Sequence, residues 1–87
     1  MLTITDAAGG YLTKVLDEAQ VSDETAVRLV AAPEGLTAAL DTEKPGDASF
    51  DHDGRKVLLL DQLASQVLDE RTLDVQNTPD GDKLGLT

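Results

Sequence analysis

The spacing of hydrophobic and polar positions changes period several times along the chain, and each change marks an element. Leu2 and Ile4 alternate with Thr3 and Thr5, the period of a short strand. From Ala8 the rhythm turns helical: Ala8, Leu12, Val15, Leu16 and Ala19 fall on one face, with Asp17 and Glu18 outside it. Thr5 precedes this run as a helix N-cap, and Asp6 sits where an acid favours the first turn. Gly9 and Gly10 weaken the opening turns by about 1 kcal/mol each relative to Ala. Val21 to Glu24 reads as a polar connection.

Thr25 to Ala32 is the clearest strand, with Val27 and Leu29 on one side and Ala26, Arg28 and Val30 on the other. Pro33-Glu34-Gly35 interrupts it. Leu36, Ala38 and Leu40 alternate with Thr37, Ala39 and Asp41 in a second strand. Lys44-Pro45-Gly46-Asp47 has the composition of a tight reversal. Ala48 to His52 and Lys56 to Leu60 flank Asp53-Gly54, a hairpin signal. Val57-Leu58-Leu59-Leu60 is apolar on both faces, which predicts a central strand.

Asp61 can cap a second short helix, whose buried stripe is expected to be Leu63 and Val67 with Leu60 and Leu68. Asp69-Glu70-Arg71 ends it. Leu73 and Val75 begin another alternating strand, Thr78 to Asp82 is a turn, and Leu84 and Leu86 form a last short strand. There are no internal repeats and no linker long enough to separate domains. The pattern therefore predicts one α+β domain over residues 1–87, with a mostly antiparallel or mixed β-sheet and two helices.

Charge and composition narrow the function. Asp and Glu number 17 against 7 Lys and Arg, a formal net charge of −10. Such a surface repels nucleic-acid phosphates and anionic lipid, so neither nucleic acid nor membrane is expected as a partner. The acidity suits a cation or a basic partner, or equally an acid-rich, salt-adapted proteome. No run approaches the roughly 20 apolar residues of a membrane span. The opening Met1 to Asp6 has no leader-like pattern, and a reducing cytoplasm is the expected setting. With one Phe, one Tyr and no Trp, the core must come from Leu, Val and Ala, which predicts modest stability and a tendency to dimerise.

The order of elements resembles the HesB-like family, the A-type carriers of iron–sulfur assembly that include IscA-like proteins. Four phrases carry the resemblance over nearly the whole chain. "LTITDAA", Leu2 to Ala8, resembles the family's opening strand and capped helix. "VRLVAAPEGLTAALD", Val27 to Asp41, resembles the two strands on either side of its ligand loop. "KPGDASFDHDGRKVLLLD", Lys44 to Asp61, resembles its acidic turn, hairpin and following strand. "LDERTLDV", Leu68 to Val75, resembles the stretch with an aspartate, a turn and another strand. The resemblance implies a first cysteine ligand where this chain has Pro33, and two more in a Cys-x-Cys tail that Thr87 does not reach. None of the 87 residues is Cys, so no thiolate is available for a cluster, a zinc site or nucleophilic catalysis. The chain is similar to short, cysteine-free actinobacterial members.

Four residues remain as candidate metal ligands. Asp51, His52 and Asp53 offer two carboxylates and an imidazole before Gly54, although the acid that would complete a calcium loop is missing. The alternative is a solvated hairpin turn with Asp51 and Asp53 on one face and His52 an isolated surface imidazole. Glu34 is the one carboxylate beside the ligand loop, and otherwise a plain loop residue. Turn acids such as Asp41, Glu43, Asp47, Asp80 and Asp82 are expected to cap backbone amides and keep edges soluble. No nucleophile–base pair or phosphate loop is visible. The expected function is a non-enzymatic module without a cofactor that binds another protein or itself as a homodimer. The alternative is an accessory factor in iron–sulfur assembly that holds iron weakly through carboxylates or docks to cysteine-bearing carriers.

Overall fold

The computed structural model describes residues 2–33 and 35–87. The elements run β1 (Thr3–Ile4), α1 (Asp6–Ala19), β2 (Thr25–Ala32), β3 (Gly35–Thr42), β4 (Ala48–His52), β5 (Arg55–Leu60), α2 (Gln62–Val67), β6 (Thr72–Thr78) and β7 (Gly81–Leu86). The fold is α+β, as the pattern predicts, but the strands divide into two sheets. One has the order β3-β2-β5-β4, the other β1-β6-β7. The strands β2 and β3, β4 and β5, and β6 and β7 pair antiparallel, while β2 with β5 and β1 with β6 pair in parallel.

Local chemistry sets both helix starts. Thr5 has extended backbone and its hydroxyl accepts from the Ala8 amide at 3.1 Å. The same hydroxyl donates to Asp74 on β6 at 2.8 Å, and this holds the Asp74 carboxyl below its usual range. Asp61 caps α2 through the Ala64 amide at 2.8 Å. The helix α1 ends at Gln20, which adopts a left-handed conformation with φ 56°.

The core joins the two sheets through α1. Leu12 and Leu16 of α1 meet Val27 and Leu29 of β2, Val57, Leu58 and Leu60 of β5, and Leu73 of β6. Every residue of the Val57–Leu60 run is buried: β5 lies between β2 and β4, and both α1 and α2 pack against it. The largest wholly buried side chains are Leu and Val. Each contributes about 1.5–3 kcal/mol relative to exposure.

Two local expectations are corrected. On α2, Leu63 and Val67 are 58% and 52% exposed, while Ala64 is buried along with Leu60 and Leu68. The inward face of this six-residue helix is thus the 60/64/68 row. Ala19 is exposed, since α1 ends there. The strand Thr25–Ala32 keeps its expected bounds and stops before Pro33: Ala32 pairs with Gly35, and β2 and β3 stay in one unshifted register to Thr25–Thr42.

Candidate functional site

Three places carry the polar chemistry of the molecule. The first is the tip of the β2–β3 hairpin, where the resemblance implies the first ligand. The connection between Ala32 and Gly35 is two residues long, Gly35 has φ 131°, and Pro33 is exposed. Glu34, the carboxylate candidate of this loop, lies outside the described residues.

The second is the β4–β5 turn. Asp53 and Gly54 have φ of 52° and 81°, the two left-handed residues of a tight hairpin turn, as the Asp-Gly pair predicts. Asp51 and Asp53 are exposed. His52 is not the isolated surface imidazole expected from alternation. Its ring lies against the buried Gly9 of α1, so close that a Cβ at Gly9 would come within 2.3 Å of Nδ1. On the other side Nε2 is 3.4 Å from Asp53 Oδ2. Of the three candidate ligands in this turn, the structure brings His52 and Asp53 together and leaves Asp51 on the outside. The glycine that weakens the helix in isolation is therefore the notch that seats the imidazole. Nearby, Arg55 donates to Asp23 at 3.1 Å, while its Nε and Nη2 are buried without a partner.

The third was not legible as a site. Arg28, in the middle of β2, is only 8% exposed. Its Nη1 and Nη2 donate to the two carboxylate oxygens of Asp47 at 3.0 and 2.5 Å. Its Nε donates to Asp41 at 2.9 Å and Nη2 also reaches the Thr42 carbonyl at 3.2 Å. Lys44 adds its ammonium to Asp41 at 2.9 Å and its backbone amide to Asp47 at 2.7 Å. This bidentate clasp ties β2 to the end of β3 and to the turn that follows. It holds the Asp47 carboxyl below its usual range, first through Arg28 and then through the Lys44 amide. Asp41 is lowered to about 2, chiefly by Lys44 and by the Thr42 amide. Arg28 is raised above its already high value, mainly by Asp47. Every guanidinium nitrogen of Arg28 makes at least one of these bonds and the side chain is nearly buried, so the cluster is a structural clasp. The turn acids Asp41 and Asp47 do cap backbone amides as expected. Glu43 instead binds Lys56 across the sheet at 2.5 Å.

Among the described residues no three His, Asp or Glu side chains converge as a metal site. No described helix is long and apolar enough to cross a membrane.

Comparison with solved structures gives the fold a wider setting. SufA of Escherichia coli, involved in biosynthesis of iron–sulfur clusters, matches with a TM-score of 0.79 and 24% identity, over 99% of this chain and 83% of that one. IscA, solved with a [2Fe-2S] cluster, matches with a TM-score of 0.69 and 15% identity, over 100% of this chain and 84% of its own. A protein from Aquifex aeolicus solved by NMR matches with a TM-score of 0.70 and 24% identity, over 99% and 89%. Identities this low establish a shared fold. Comparison with protein-family models finds no match, and comparison with curated proteins finds none.

Proposed function

We propose that this chain is a non-enzymatic protein of the SufA/IscA-like fold that acts by binding a protein, either another protein or its own copy, and does not carry a cluster on its own side chains. One observation carries the reading. At the hairpin tip that the resemblance makes a ligand loop, Ala32 pairs directly with Gly35 and Pro33 stands where the resemblance implies a ligand, and no Cys occurs among the 87 residues. Iron–sulfur clusters are held by thiolates, with imidazole in a minority of cases. The donor set here is carboxylates and one imidazole, and His52 is engaged by Gly9 and Asp53. These residues do not fit a cluster. What the fold keeps is its scaffold, with two sheets bridged by α1 and a well-formed core.

The test is reconstitution of the purified chain with iron and sulfide under anaerobic conditions. Absence of sulfide-to-iron charge-transfer absorption is the expected result. Stable bands with stoichiometric iron would overturn the reading. The accessory-factor alternative, weak iron binding through carboxylates such as Asp51 and Asp53, is read separately by titration calorimetry with ferrous iron.

A further inference from the structure

Four strands end the two sheets, β3 and β4 in one, β1 and β7 in the other. An open strand edge presents unpaired N–H and C=O groups and invites another strand, so proteins blunt edges with bulges, charges, proline or shortness. Three of the four edges here are blunted. The strand β1 is two residues long. A register shift after Phe50 breaks the β4 ladder, and Asp51 adds a charge. Asp82 and Lys83 charge β7.

The strand β3 has none of these guards over most of its length. It is eight residues long and pairs with β2 without any shift. Gly35 to Leu40 contains no charge and no proline, on a chain with 24 charged Asp, Glu, Lys and Arg residues among 87. Thr37, Ala38, Ala39 and Leu40 are all exposed, Leu40 by 45%. Alternate residues of an antiparallel strand turn both backbone groups to the side away from the partner, so β3 offers a regular set to the open edge. Beside it, Val15, Val27, Ala38, Ala39 and Leu40 line a shallow apolar hollow of about 190 Å³.

We propose that β3 pairs antiparallel with β3 of a second copy of this chain, about a two-fold axis at Ala38 or Ala39, to give a continuous eight-stranded sheet. The inference rests on the self-binding branch of the reading above and assigns its surface. Charge permits this occupant and selects the direction. Two chains of net charge −10 repel wherever charged faces meet, and Gly35 to Leu40 is a stretch where they meet without charge. In the antiparallel arrangement Asp41 of one copy lies level with Gly35 or Thr37 of the other. A parallel arrangement would set Asp41 beside its own counterpart. The one acid on the strand is already neutralised within each copy by Arg28 and Lys44. Alanines at the axis let the backbones approach, and a two-fold operator makes the surface self-complementary.

Sedimentation velocity on the full chain is expected to show a species of twice the 9.2 kDa chain mass. Leu40→Lys and Ala39→Lys are expected to weaken association by at least about tenfold with circular dichroism unchanged. Leu63→Lys, on the exposed face of α2, is expected to leave it unchanged. A wild-type chain that stays monomeric to about 1 mM overturns the proposal. So does a dimer broken by Leu63→Lys and not by the β3 variants, which would still leave self-binding as the function. If the β3 variants fail to fold, amide exchange on the wild type decides. Protection of alternate β3 amides that rises with protein concentration supports the pairing, and concentration-independent exchange overturns it. Neither readout involves iron or sulfide, so failure here is separable from failure of the cluster-free reading.

Discussion

The two hairpins of the four-stranded sheet are built alike and secured differently. Each closes tightly, β2–β3 with Ala32 paired to Gly35 and β4–β5 at Asp53-Gly54. The β4–β5 hairpin is held by shape. Its strand β5 is buried, its ladder is bent after Phe50, and His52 drops into the space that Gly9 leaves on α1. The β2–β3 hairpin is held by charge at its open end, where Arg28 gathers Asp41 and Asp47, and the rest of β3 touches little but β2. Shape-based closure seals an edge. Charge-based closure fixes a strand end and leaves the edge usable. The same sheet therefore has one finished side and one open side.

The contrast can be broken most severely at the clasp. Asp47→Ala leaves Arg28 buried without its bidentate partner, and is expected to cost about 3 kcal/mol in urea unfolding. Replacing both ends, Arg28→Met with Asp47→Leu, should cost less than the single change, because no buried charge is stranded. Next in size is the notch. Gly9→Ala should destabilise by about 1–3 kcal/mol although Ala is the better helix former, since its Cβ meets the His52 ring. Adding His52→Ala should recover most of that loss, and the coupling between the two sites is read from a double-mutant cycle. Gly10→Ala, one residue on, meets nothing within 4 Å and should stabilise by about 0.5–1 kcal/mol in thermal melts.

The smallest effect is on pH dependence. Asp41 and Asp47 titrate lower in the folded chain than in the unfolded one, Asp41 at about 2. The unfolded chain thus takes up protons first as pH falls. The stability the clasp contributes is complete above the usual carboxylate range of about 4, and drains away between there and about 2. Urea midpoints at stepped pH should fall through this window for the wild type. Asp41→Asn should flatten the slope within this window.

Much of the architecture was legible because it is written in local terms. The apolar run Val57-Leu58-Leu59-Leu60 announces a strand covered on both faces, and Asp53-Gly54 announces left-handed turn geometry. Thr5 and Asp61 cap helices because their side chains reach amides three residues on. The failures are of two kinds. In α2 the period had too few turns to act on, and large Leu63 and Val67 outweighed small Ala64, which is the residue that fits against β2 and β5. The clasp and the notch depend on partners far along the chain. Arg28 meets Asp47 across 19 residues, and Gly9 meets His52 only after the whole sheet is in place. A lone arginine among strand hydrophobics was the one available signal for the clasp. The candidate ligands at the turn were located correctly as a hairpin, but the seating of His52 needed the helix.

The parallel pairing of β1 with β6 has a consequence for how the chain comes together. Thr3 lies level with Thr72, and Thr5 is bonded to Asp74, 69 residues away. Contacts so distant along the chain form slowly, because a long loop must close before they stabilise anything. On the ribosome β1 and the start of α1 stay without these partners until β6 has emerged. A stalled or truncated product that stops before residue 72 would carry Leu2, Leu12 and Leu16 without part of their cover, a ready substrate for chaperones and proteases.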